Sequence, residues 1–275
     1  MQAIMECVRE TAAYLKAHGF AERPLVGIVL GTGLGALTNY IDIKSTVRYL
    51  DIPHFPEATV EFHQGNLLYG YMGNIPVIAM QGRFHFYEGY SMQQITFPIR
   101  VFKELGVEYL FLSNAAGGMN PLYKKGDIIL IEDHINLLPD NPLRGLNDPS
   151  LGPRFTDMSC PYDTQLRSLI LDQSKKLKLS VKEGVYVAVM GPNLETRSEY
   201  RWLHSMGADL VGMSTVPEVI VANQVGLKCA AMSVITDECD PDNLRPVNIS
   251  EIIEVAGKAD ILLSELMNEV ICSIG

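Results

Sequence analysis

Short apolar runs of four to seven residues alternate along this chain with segments of helical periodicity, and no other feature restricts the fold as much. The β-rich runs fall at 25–30, 67–71, 77–81, 109–113, 128–131, 185–189 and 229–235. Helical spacing of apolar residues appears at 2–18, 92–105, 163–178, 197–206, 216–226 and 249–272. Continuously apolar strands need cover on both faces, and helices placed between strands supply it. The expectation is a single α/β domain over residues 1–275, with a central mixed β-sheet flanked by helices. The sheet is expected to be mixed because 59–81 holds two apolar runs around Gly73-Asn74, the pattern of a hairpin.

Composition narrows the class. With 22 Lys+Arg against 32 Asp+Glu the net charge is −10, and 47% of residues are apolar, so neither disorder nor a nucleic-acid polymer partner is expected. An anionic small ligand stays open, because a pocket can be locally positive inside an acidic chain. No apolar run reaches the roughly 18 residues of a membrane helix, so no membrane partner is expected. The first ten residues read as an amphipathic helix and not as a signal peptide. Five scattered cysteines (Cys7, Cys160, Cys229, Cys239, Cys272) without a C-x-x-C suggest reduced thiols, a cytoplasmic setting and no metal cage.

Four helix starts fit a capping box: Ser91-x-x-Gln94, Thr196-x-x-Glu199, Thr215-x-x-Glu218 and Asn248-x-x-Glu251. Helix starts expose free N–H groups and favour anions. In an open α/β sheet, ligands gather where strands give way to loops.

Six such loops carry unusual residues. Gly31-Thr32-Gly33-Leu34-Gly35-Ala36 suits backbone amides around an oxyanion, a plain strand-exit turn, or a dinucleotide fingerprint with nothing like a long helix after it. On an extended segment Arg83, His85 and Tyr87 share one face and Phe84 and Phe86 the other, which aims a phosphate-compatible fork and a second donor together. Ser113-Asn114-Ala115-Ala116-Gly117-Gly118 leaves bare backbone for a flat group or for packing. Glu195 immediately precedes a helix, and Ser214-Thr215 opens another. Thr236-Asp237-Glu238-Cys239-Asp240 crowds acids without any EF-hand pattern, so no metal is expected there. His63 and His134 are isolated in sequence, and no hydrolase or zinc-protease motif is present.

Five blocks, in order and at family-like spacing, resemble the trimeric type of purine nucleoside phosphorylase. They are Gly31-Thr32-Gly33-Leu34-Gly35, Met80-Gln81-Gly82-Arg83-Phe84-His85-Phe86-Tyr87-Glu88-Gly89-Tyr90, Asn114-Ala115-Ala116-Gly117-Gly118, Asp133-His134-Ile135-Asn136-Leu137 and Gly212-Met213-Ser214-Thr215-Val216-Pro217-Glu218. The resemblance implies reversible phosphorolysis of a purine nucleoside to free base and (deoxy)ribose 1-phosphate. It implies no cofactor, with phosphate as co-substrate, and a homotrimer. Phosphate both stabilises the ribosyl cation and attacks it, so no protein nucleophile is needed.

By resemblance, Thr32, His63, Arg83, His85, the Ala115 amide and Ser214 bind phosphate. Tyr87 and Met213 hold ribose, Phe155 reaches a neighbouring subunit's site, and Glu195 takes the N1 edge of a 6-oxopurine. His85, Glu195 and Asp237 form the catalytic set, with Leu194 and Ile249 lining the nucleoside. Three positions depart from the family pattern. Asp237 replaces the usual Asn at N7 and the 6-position, Ile249 the usual His near the 5′-hydroxyl, and Leu194 a common aromatic. The first two lean toward 6-aminopurines and less polar 5′-substituents, so the expectation is activity on inosine and guanosine with added tolerance of adenosine and 5′-modified nucleosides. The alternatives are therefore methylthioadenosine phosphorylase-like specificity, a non-catalytic nucleoside binder and, remotely, an NAD-dependent oxidoreductase built on the 31–36 loop.

Overall fold

The computed structural model describes residues 4–20, 22–32, 34–59 and 64–274. Nine strands and six α-helices lie among them. In chain order the strands are β1 Val26–Val29, β2 Asp42–Arg48, β3 Asn66–Met72, β4 Ile75–Gln81, β5 Tyr109–Gly118, β6 Ile128–Asn136, β7 Val181–Ala188, β8 Leu210–Gly212 and β9 Lys228–Glu238. The helices are α1 Ile4–Ala17, α2 Met92–Leu105, α3 Thr164–Lys176, α4 Arg197–Ser205, α5 Val216–Gln224 and α6 Ile249–Cys272. The expected α/β class with a mixed sheet is what forms, and β3–β4 is the hairpin expected around Gly73, which takes φ +55°.

The strands run in the order β2-β3-β4-β1-β5-β8-β7-β6-β9, and β9 also pairs with β5. The second half of the sheet therefore closes on itself as a ring of five strands. β5 makes this possible by length: its first residues pair with β1 and β9, and Gly117 and Gly118 pair with β8. Alternation divides the core. On β1, Val29 belongs to the core under α1, α2 and α5, whereas Val26 and Ile28 belong to the one under α3 and α6. Gly27 is obligatory in this sandwich, because a Cβ there would meet the Phe102 ring at 2.6 Å.

Two helix starts behave as read: Ser91 and Thr196 form reciprocal capping boxes with Gln94 and Glu199. Two differ. Asn248 caps through the Ser250 amide while Glu251 turns to Lys125. Thr215 caps nothing; it sits at φ +71° and its hydroxyl points into a buried network. No helix among the described residues is long and apolar enough to cross a membrane.

Candidate active site

The ends of β1, β4, β5, β8 and β9 and the segment after β7 meet around one cavity of about 380 Å³. Arg83 follows β4 directly, held by a strand exit in which Gly82 takes φ +107° and its carbonyl accepts from the buried Tyr49 hydroxyl (2.8 Å). Although it lines the cavity, the Arg83 side chain is 2% exposed. Its Nη1 donates to Ser214 Oγ and Thr215 Oγ1, both at 3.0 Å, and Nη2 donates to the Val29 carbonyl (3.3 Å). Its charge is met by Glu218, buried one turn into α5, with Nε and Oε1 3.5 Å apart.

Thr215 ties this cation to the sheet. Asn114 Nδ2 donates to Thr215 Oγ1 (2.9 Å), and Ser233 Oγ donates to Asn114 Oδ1 (2.7 Å). A β-branched residue at positive φ is strained by about 1–3 kcal/mol, and such strain persists where the surroundings over-determine it. Here it turns Ser214 toward the cavity, while the Ser214 amide donates to the buried Tyr186 hydroxyl (3.3 Å). The first glycine loop approaches from β1. A Cβ on Gly31 would lie 2.6 Å from the Ser113 carbonyl, so only glycine lets Thr32 reach this wall. From the other side, Asp260 of α6 accepts the Ala36 amide (2.6 Å) and anchors the loop.

His85 is oriented by a residue the sequence reading did not single out. Its Nδ1–H donates to Glu88 Oε1 (2.8 Å), and its ring stacks on Tyr87 at 4.7 Å. Burial alone would raise the Glu88 carboxyl, but bonds from His85 and Thr59 hold it below the usual range. Tyr87 is pushed up to about 12, by burial first and then by the neighbouring Glu88 charge. Thr32, Arg83, His85, Ala115 and Ser214 thus form one polar group rich in donors and beside the start of α5, suited to an oxyanion.

A second polar group is acidic: Glu195, Tyr200, Asp237 and Cys239 line the same cavity. Burial raises the Glu195 carboxyl, opposed by its own amide and by the Tyr200 hydroxyl. Tyr200 also interacts with Cys239, whose thiol burial drives to about 12. Cys239 fits only because Gly117 has no side chain; a Cβ there would meet its Sγ at 2.5 Å. Tyr87, Leu194, Val211, Met213 and Ile249 are among the other lining residues, the last on the first turn of α6.

Eleven of the thirteen site residues named from sequence therefore line one cavity. His63 lies outside the described residues. Phe155 does not reach this chain's cavity; it is 90% exposed beneath the Arg154 guanidinium. Sequence reading missed Glu88, Tyr200 and Cys239, and it took Thr215 and Glu218 for a helix cap. The 31–36 loop leads into a five-residue 3₁₀ turn, Ala36–Tyr40, and offers no long helix to a dinucleotide pyrophosphate.

A family model described as the phosphorylase superfamily matches residues 25–271. The chain belongs to that superfamily. Among its relatives, purine nucleoside phosphorylase 1 of Bacillus subtilis is 46% identical over 264 residues, covering 96% of this chain and 97% of the relative. The solved structure of isoform 2 of the Schistosoma mansoni purine nucleoside phosphorylase, in complex with cytosine and ribose-1-phosphate, superposes with a TM-score of 0.92 at 42% identity. It covers 97% of this chain and 95% of its own. A Schistosoma mansoni purine nucleoside phosphorylase in complex with adenosine gives 0.91 at 38% identity, covering 97% and 96%. Membership removes the oxidoreductase reading.

Proposed function

We propose that this phosphorylase-superfamily chain is a purine nucleoside phosphorylase, an enzyme of the pentosyltransferase class that cleaves the N-glycosidic bond of purine (deoxy)ribonucleosides with inorganic phosphate. One observation carries the reading: a buried, counter-charged arginine with Ser214 and His85, and a separate pair of carboxylates, line one cavity of nucleoside size. Phosphate held by Thr32, Arg83, His85, the Ala115 amide and Ser214 attacks C1′ of the ribose as the bond to the purine breaks. Tyr87 and Met213 hold the sugar. Glu195 accepts N–H donors of the base, and Asp237 faces its other edge. The chemistry needs no cofactor in this reading, since the second substrate is the nucleophile.

The physiological reaction is nucleoside salvage on inosine and guanosine, with tolerance of adenosine conferred by Asp237 and of altered 5′-groups conferred by Ile249. By the family resemblance the working form is a homotrimer, in which the exposed Phe155 reaches the site of a second copy. The five free thiols suit the cytoplasm. Base release from inosine, guanosine, adenosine and methylthioadenosine is measured with and without phosphate. Release that requires phosphate and is fastest on inosine or guanosine supports the reading; release indifferent to phosphate, or none, overturns it.

A further inference from the structure

Lys125 lies in the connection between β5 and β6, beside Lys124, and in sequence the pair looks like an ordinary solvated charge. Its position in the fold is more specific. Nζ donates to Glu251 Oε1 at 2.5 Å, on the first turn of α6, and lies 4.0 Å from Asp237 Oδ1 at the end of β9. Lys124 takes the neighbouring acid, with Nζ 3.0 Å from Glu238 Oε2. Lys125 does not line the cavity that holds Arg83. It lines an adjoining polar cavity of about 450 Å³, and Thr236, Asp237, Val247 and Ile252 form the wall common to both.

Asp237 is thus held from two sides. Lys125 stands at Oδ1, and the Cys239 thiol donates to Oδ2 across 3.8 Å, a sulfur-length contact. Both partners are donors. A carboxyl group with donors on two sides turns its remaining lone pairs to the cavity. The same lysine fixes Glu251, next to Ile249, Ile252 and Ile253 of the cavity wall. One side chain outside the pocket therefore sets both the acid that faces the base and the helix turn that closes over it.

We propose that Lys125 is a specificity-determining positioning residue, which holds Asp237 as a hydrogen-bond acceptor and so favours bases that present an N–H at that edge. The proposal deepens the phosphorylase reading and rests on it for the identity of the ligand. Bases with a 6-amino group satisfy the acceptor. A 6-oxo group places one lone-pair-bearing oxygen against another and gains nothing from Lys125. The ammonium is partly exposed, with 36% of its side-chain surface open, so solvent screens the pair and its effect on selectivity is modest.

The test compares Lys125→Met, Lys125→Arg, Asp237→Asn and the Lys125→Met/Asp237→Asn double variant. Each is assayed for kcat and KM on adenosine and inosine at saturating phosphate, and by calorimetric binding of adenine and hypoxanthine. In Lys125→Met the adenosine-to-inosine ratio of kcat/KM is expected to fall about threefold to fivefold, mainly through the adenosine KM. The adenine-to-hypoxanthine binding ratio falls with it. Arg at 125 restores most of the ratio, and in the Asp237→Asn background the Lys125 substitution has no further effect on it. A ratio that stays at the value of the unsubstituted protein overturns the proposal. So does an equal fall for both bases, which a merely structural role would give, or an effect that survives in the Asp237→Asn background. If the unsubstituted protein turns over neither nucleoside, the phosphorylase reading fails on that result alone. The binding ratios then still decide the role of Lys125.

Discussion

Arg83 Nε and Glu218 Oε1 lie 3.5 Å apart with both side chains almost wholly buried, which places a compensated charge on the wall of the cavity. A buried cation is tolerated when an opposite charge and hydrogen bonds replace its water, and removing one partner leaves the other uncompensated. Glu218→Ala is therefore expected to destabilise the fold by about 3–5 kcal/mol. The Arg83→Met/Glu218→Met pair is expected to be less damaging than Glu218→Ala alone, because no orphan charge remains. Denaturant unfolding of the two variants checks this; a double variant at least as unstable as Glu218→Ala would show that the two charges do not compensate each other. Arg83→Met by itself is expected to lower kcat/KM for phosphate by about 10²–10³, the scale of a lost donor at a developing charge.

His85 depends on Glu88 for its orientation, through the Nδ1–H bond to Oε1. Glu88→Gln keeps the size but replaces the charged acceptor, and a loss of about tenfold in kcat/KM is expected, the lower end for a hydrogen bond to a charged group. The same carboxyl links stability to pH. Its folded value is depressed, so its contribution is fully present above the unfolded value and fades as pH falls through the folded one. Melting temperature against pH is expected to drop more gently on the acid side in Glu88→Gln than in the unsubstituted protein.

Burial raises the Glu195 carboxyl, so at any given acidic pH more of it is protonated than of a solvated glutamate. A protonated carboxyl is a poorer acceptor for the N1–H of a 6-oxopurine. The KM for inosine is expected to climb as pH falls, starting above the ordinary glutamate value of 4.5. Glu195→Gln is expected to raise KM at neutral pH and to flatten that limb. An unchanged acid limb in Glu195→Gln would assign the titration to another group.

Phe155 is 90% exposed, so Phe155→Ala is expected to change unfolding free energy by no more than about 0.5 kcal/mol. If the ring completes a second copy's site, the nucleoside KM rises while the phosphate KM stays put. Kinetics combined with the sedimentation-derived oligomeric state separates a lost site contact from a lost assembly.

Much of this was readable in the sequence because it is local. All six helices announce themselves by apolar spacing, and Ser91 and Thr196 cap as their side chains suggest. Two strands were not readable. β2 is an exposed edge with a polar face, and β8 has three residues, too few to show a period. Thr215-x-x-Glu218 misled because the capping-box spacing is also one helical turn. Glu218 uses that turn to reach Arg83, 135 positions earlier in the chain.

By itself, the sequence determined the element types, the strand-end loops and an Arg83/His85 face able to meet an oxyanion; the purine roles came only from resemblance to a family. The former follow from side-chain chemistry and from spacing over a few residues. Tertiary structure alone decided that β5 and β9 pair to close the ring, that Glu218 balances Arg83, and that Cys239 fills the space Gly117 leaves. It also brought Lys125 to Asp237. Each of these joins groups far apart in the chain, and their contact depends on how strands register and helices settle on the sheet, which no local pattern encodes.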